Sequence, residues 1–139
     1  MNRADFQKLS RMRLKEANIL LDNKSYEGAY YLAGYAVECA LKACIARKTK
    51  RYEFPPKRDV VDNYYKHNLE LLIRMAGLEL ELKNESKSVA IFDSYWNTVK
   101  AWSEQARYET KIDQKRAQDL YVAVSDVPNG VLVWLKKYW

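Results

Sequence analysis

Apolar residues recur along most of this chain at the spacing of a helix face, and nowhere do they alternate long enough to make a strand. Over residues 4–22, Phe6, Leu9, Ala17, Leu20 and Leu21 fall on one side with Arg and Lys between them, which predicts a first amphipathic helix. The turn that follows reads Asp22-Asn23-Lys24-Ser25, short polar side chains of which Asn23 and Ser25 are candidates to cap the next helix. So short a connection makes the first two helices a hairpin.

The second helix, over residues 26–48, carries an unbroken stripe of Ala29, Leu32, Ala33, Ala36, Val37, Ala40, Leu41, Cys44 and Ile45. Its only polar strip runs through Glu27, Glu38 and Lys42 beside Tyr31, so most of its circumference is apolar or small and it should be the central element. Gly28, Ala33, Gly34, Ala36 and Ala40 let neighbouring helices approach closely.

Residues 49–67 form a loop in which Pro55-Pro56 forbid helix and bias Phe54 toward an extended backbone, with room for a helical turn over 57–65. A third helix is punctuated by Asn68 as N-cap and Gly77 as stop, around Leu69, Leu72, Ile73 and Ala76. A fourth, over 84–103, aligns Val89, Phe92, Trp96, Val99 and Trp102. A fifth starts near Asp113 with Ala117, Leu120, Tyr121 and Val124, and is interrupted at Pro128. Asp126 and Pro128 read as the cap and first-turn pair of a last helix that buries Val131, Trp134, Leu135 and Tyr138. The expected fold is all-α, an up-and-down bundle of about five helices in a single domain over residues 1–139.

Composition supports this pattern. With only four Gly and three Pro in 139 residues, the chain lacks the punctuation that all-β folds need, and its length suits one core. The longest apolar run, residues 28–37, contains three tyrosines and stops at Glu38, well short of the roughly 20 residues of a membrane span. No apolar leader opens the sequence, so a cytoplasmic location is expected. Cys39 and Cys44 lie on different parts of one helix and cannot meet as a disulfide, so they read as free, buried thiols. One His and no second Cys pair rule out a zinc site of ordinary spacing, and no cofactor is expected. A net charge of +6 favours polyanionic partners.

Candidate chemistry is sparse. Arg47, Lys48, Lys50, Arg51, Lys57 and Arg58 surround Tyr52 and Phe54, a basic segment with aromatics that can hold phosphates and stack bases; the alternative is a solvated loop whose aromatics close over the bundle. His67, able to titrate near neutral pH, suits acid or base work in RNA cleavage, or else it caps and packs. Glu38 and Lys42 are spaced as a helical pair and read as a structural ion pair reaching a neighbouring helix, or as a buried polar spot. Trp96, Trp102 and Trp134 fall on inner faces, whereas Trp139 has no assigned face. No Gly-rich phosphate loop, Ser/His/Asp arrangement or dinucleotide fingerprint is present, which sets aside ordinary nucleotide hydrolases and dehydrogenases.

The segment from Tyr26 to Ala43, with its Tyr, small residues and Val37-Glu38-Cys39-Ala40-Leu41-Lys42-Ala43 end, resembles the second helix of HEPN domains. Lys66-His67-Asn68-Leu69 resembles that family's entry to its third helix, and Ala106-Arg107-Tyr108 its Arg-Tyr segment after the fourth. The resemblance implies a helical bundle that pairs into a dimer, often beside a minimal nucleotidyltransferase, in prokaryotic toxin-antitoxin or defence modules that act on RNA or nucleotides. The surplus of Trp and Tyr and the wide apolar circumference of the second helix likewise suggest a homodimer. Catalytic members of the family are metal-independent endoribonucleases with an Arg followed four to six residues later by a His. Here His67 is preceded nearest by Arg58 and no His follows Arg107 or Arg116, so the chain is expected to bind rather than cleave. A degenerate site built from His67 and Arg107 is the enzymatic alternative, and a purely structural helical adaptor is the third reading.

Overall fold

A computed structural model describes residues 1–48 and 68–139. All regular structure among them is helical, as the periodicity requires. Helix α1 spans Arg3–Asp22 and α2 spans Tyr26–Lys48. Asn2 opens α1 through a capping box: its side chain accepts from the Asp5 amide at 2.9 Å, and the Asp5 carboxylate accepts from the Asn2 amide at 2.9 Å. Between the helices Lys24 adopts φ 62, and the Ser25 carbonyl accepts the Ala29 amide at 3.0 Å to begin α2.

The hairpin is antiparallel. Ser10 on α1 is fully buried and donates from its hydroxyl to the Ala36 carbonyl at 2.7 Å, while Leu20 lies against Gly28 near the turn. Such close approach follows from Ala17, Ala33, Ala36 and Ala40, all without solvent contact. The polar strip of α2 is not a solvated face: Glu38 is fully buried, Lys42 nearly so, and they form an ion pair within the helix at 3.7 Å.

Helix α3, Leu69–Met75, starts where Asn68 accepts the Leu71 amide at 3.0 Å. It ends in a Schellman motif, with the Gly77 amide donating to the Arg74 carbonyl and the Leu78 amide to the Ile73 carbonyl. Gly77 sits at φ 68, the left-handed conformation that makes glycine the residue of choice there.

The single fourth helix expected over 84–103 is two helices, α4 at Glu79–Ser88 and α5 at Ala90–Lys100. They break at Val89, whose backbone is extended at φ −128 and ψ 98. Helix α4 has no buried residue, whereas α5 drives Phe92, Trp96 and Val99 into the core. No Gly or Pro marks it, so tertiary packing alone decides it.

A 3-10 turn at Glu104–Tyr108 leads to α6, Gln114–Ser125, capped by Asp113 accepting the Arg116 amide at 2.8 Å. The last helix, α7, occupies Val131–Leu135 with Gly130 at its N-cap, so the expected cap and first-turn pair of Asp126 and Pro128 is not one. The Val127–Pro128 peptide is cis, and the Asp126 carboxylate accepts instead from the Tyr95 hydroxyl at 2.6 Å.

The core is built around α2, which packs against α1, α3, the 3-10 turn, α6 and α7. Trp134 joins it from α7, with ring centroids 5.2 Å from Phe92 and 5.3 Å from Tyr138. Trp139, which the pattern left unassigned, is buried; its carbonyl accepts from the Arg3 guanidinium and from the Gln7 amide at 3.0 Å. The Arg11 guanidinium lies 4.8 Å from its ring centroid.

Candidate nucleic-acid interface

The last turn of α2 changes character within a few residues. Cys44 and Ile45 are buried, whereas Arg47 and Lys48 are exposed, basic residues that also suit the negative end of the helix dipole. The Schellman turn after α3 comes alongside: a Cβ added at Gly77 would lie 2.3 Å from the Lys48 ammonium nitrogen, so glycine leaves room for that side chain. From the far end of the chain, Lys137 and Tyr138 arrive just after α7, and Glu81 projects from the first part of α4.

Together these residues line a groove of about 420 Å³, with Ala76, Leu78 and Cys44 as its apolar part. Three cations, Arg47, Lys48 and Lys137, face one carboxylate, so the groove carries a net positive charge. Tyr138 is half-buried, its ring held at 64° to that of Trp134. Glu81 stands apart: its Oε2 is buried and accepts no hydrogen bond, and among the described residues it forms no ion pair.

Of the residues expected to contact nucleic acid, Arg47 and Lys48 are thus brought to one concave, cationic site. Lys50, Arg51, Lys57 and Arg58 lie outside the described residues, as do Tyr52, Phe54 and His67. Lys137, Tyr138 and Glu81 were not legible as site residues, because nothing in local spacing announces that positions so far apart in sequence will meet.

Arg107 belongs to a different region. It is fully exposed on the 3-10 turn, its guanidinium 4.9 Å from the Tyr108 ring centroid, and Tyr108 first, with Glu104 and Tyr31, raises its already high pKa. Behind it Trp102 stacks on Tyr31 at 6.1 Å and Tyr31 on Tyr35 at 5.9 Å. Arg116 is nearby on α6, 2.8 Å from Glu109 and 4.7 Å from the Tyr30 ring centroid. Tyr31 and Arg47 are separated by about 24 Å along α2 at the helical rise per residue, so Arg107 does not share the groove.

Residues 8–127, which hold the long Ala-rich α2 with Glu38 and Lys42, Asn68 at the start of α3, and Arg107-Tyr108 on the 3-10 turn, match the model of the HEPN domain. The chain belongs to the HEPN domain family. No curated protein and no solved structure matched it. HEPN membership accords with a nucleotide- or RNA-related function and with the all-helical fold. Within the HEPN match lie Arg47, Lys48, Glu81 and Arg107, whereas Lys137 and Tyr138 lie beyond it, so the groove joins the matched residues to residues outside the match. Among the described residues no group of His, Cys, Asp and Glu could hold a metal ion, and no helix is long and apolar enough to cross a membrane.

Proposed function

We propose that this HEPN domain is an RNA- or nucleotide-binding accessory component of a toxin-antitoxin or defence module, and that it binds without cleaving. The observation that carries this reading is the convergence of Arg47, Lys48 and Lys137 on one groove beside the ring of Tyr138. Clustered cations bind phosphates by releasing condensed counterions, and an aromatic face adds sequence-tolerant stacking. Lys50, Arg51, Lys57 and Arg58 remain candidate phosphate contacts in this proposal by their charge alone. A second copy of the chain and a minimal nucleotidyltransferase are the protein partners it includes.

The competing reading, a metal-independent ribonuclease using His67 and Arg107, draws on the full exposure of Arg107 beside Tyr108. Cleavage without metal needs a proton acceptor, a proton donor and a cation for the developing charge. The close Arg-to-His spacing that would seat two of these on one helical face is missing from the sequence.

One experiment separates the readings. Binding of a labelled single-stranded RNA, followed by fluorescence anisotropy in chelator, should weaken steeply with salt, and the RNA should be recovered intact. Replacing Arg47, Lys48 and Lys137 by Ala should lower the salt slope by about two, at roughly 0.7 for each phosphate that is no longer neutralised. Undiminished binding by the triple variant would remove the groove from the site. Cleavage that disappears in both His67→Ala and Arg107→Ala would establish the ribonuclease instead.

A further inference from the structure

We propose that Trp139 is the positioning residue of the groove: clamped on α1, it holds Lys137 and Tyr138 where they meet Arg47 and Lys48. The proposal rests on the RNA- or nucleotide-binding reading above and adds to it the device that completes the cationic site.

Helix α7 cannot hold those two residues alone. It has five residues, Val131–Leu135, and so short a helix is marginal without outside support. Past it the backbone continues as a turn, in which the Lys136, Lys137 and Tyr138 amides donate to the Leu132, Trp134 and Leu135 carbonyls at 3.0, 3.1 and 2.9 Å. The Lys137 side chain is exposed and Tyr138 is only half-buried. A turn with so little buried surface opens readily unless its far side is tied down.

Trp139 supplies the tie, with only 7% of its surface exposed. Arg3, Gln7 and Arg11 are spaced four residues apart on α1 and so form one row along it. Each engages Trp139. The Arg3 guanidinium and, at 3.0 Å, the Gln7 amide donate to its carbonyl, while the Arg11 guanidinium lies 4.8 Å from the centroid of its ring. The Lys136 ammonium comes to 5.8 Å from the same ring. Main chain and indole are thus both held, which fixes the residue just before them as well. Because the hairpin is antiparallel, the start of α1 lies beside the last turn of α2, where Arg47 and Lys48 stand. The clamp therefore refers Lys137 to the same hairpin that carries the other two cations.

Hydrogen exchange of the free, full chain reads the clamp, and RNA binding reads its consequence. In Trp139→Ala the Lys136, Lys137 and Tyr138 amides should exchange about tenfold faster or more, while those of α2 keep their protection. The salt slope for a labelled single-stranded RNA should fall by about 0.7, the loss of one phosphate contact, as in Lys137→Ala. Adding Lys137→Ala to Trp139→Ala should lower the slope no further, since both remove the same contact. Trp139→Phe, which keeps a ring for Arg11, should restore most of the protection and the slope. A residue needed for stability alone would move the denaturant midpoint and leave the slope and its non-additivity untouched. If Trp139→Ala loses protection throughout the chain, the double change of the exposed Arg3→Ala and Arg11→Ala decides by the same two readouts. Unchanged exchange at the three amides refutes the clamp, whether or not RNA binds. Faster exchange with an unchanged salt slope refutes the positioning role. A wild type that binds no RNA overturns the groove reading and the positioning role with it, even where exchange shows the clamp.

Discussion

Cys39 and Cys44 hold their protons far more tightly than an exposed thiol does. Burial, reinforced by Glu38, pushes Cys39 from 9.0 up to about 12, and burial alone pushes Cys44 up to about 12 against the pull of Arg47. The Cys44 thiol points at the Leu135 carbonyl, 3.9 Å away. Since the thiolate is the nucleophile, both are inert in the folded chain. The raised values stabilise the fold fully below the ordinary thiol value and lose that contribution as pH climbs through the window from about 9 to 12, because the unfolded chain then releases protons that the native state retains. Tyr35, pushed from 10.0 up to about 12 chiefly by burial, acts in the upper part of the same window. Urea unfolding should therefore show stability declining above pH 9 by about 1 kcal/mol per pH unit for each thiol. The double change of Cys39→Ala and Cys44→Ala should flatten that decline, and a stability independent of pH between 8.5 and 10.5 would contradict the assignment. That these cysteines are buried could be read from their place on an apolar helix. That Glu38, one residue away, is equally buried is one of two readings that the sequence leaves open, since a glutamate enters a core only where tertiary partners receive it.

Helix α2 organises the bundle through what it lacks as much as through what it carries. Gly34 faces the indole of Trp102, and a Cβ there would lie 2.3 Å from three of its ring atoms. Trp102 is rigid and almost wholly buried, wedged against Tyr31, so it cannot give way as a flexible side chain would. Gly34→Ala is expected to destabilise the protein by about 1–3 kcal/mol through overpacking, despite the better helix propensity of Ala. Denaturant midpoints of the two proteins check this, and an unchanged or raised midpoint would show that the 3-10 turn yields freely. The periodicity that announced α1, α3 and α6 is strong because each pairs an apolar stripe with a side-chain cap, while α2 is announced by its long stripe. The break between α4 and α5 escaped it, since Val89, which caps both, has no capping side chain and is no helix breaker, and Leu82, Phe92 and Trp96 all satisfy a helical period.

The whole molecule uses its apolar surface more completely than its composition suggests. The broad apolar circumference of α2, one ground for expecting a homodimer, is covered within the monomer by α1, α3, the 3-10 turn, α6 and α7. All four tryptophans are buried in the same way, including Trp139, which ties the end of the chain to α1. Self-association then has to use what remains outside, such as Met12 and Ile19, exposed seven residues apart on α1. We expect light scattering at micromolar concentration to give twice 16.4 kDa, and Ile19→Glu to shift the population toward monomer. A single 16.4 kDa species at every concentration would refute the homodimer.

The sequence by itself determined the helical class, the first three described helices, the Asn68 cap and Gly77 stop of the third, the free thiols, the family resemblance and the missing Arg-to-His spacing. All of these depend on residues near one another in the chain, where 3.6-residue periodicity, capping geometry and motif spacing operate. It also identified Arg47 and Lys48 as candidate contacts, because charge is a property of the residue. Only the tertiary structure decided that they share a groove with Lys137 and Tyr138, that Arg107 stands on a turn against another part of α2, and that Glu81 lines the groove without pairing to the cations. Those facts are set by how α3 and α7 dock on α2, with α4 following α3 in the chain, and docking follows from the summed burial of Leu72, Ile73, Leu132, Trp134 and Leu135, which encodes no preference for which polar side chains will meet at its edge.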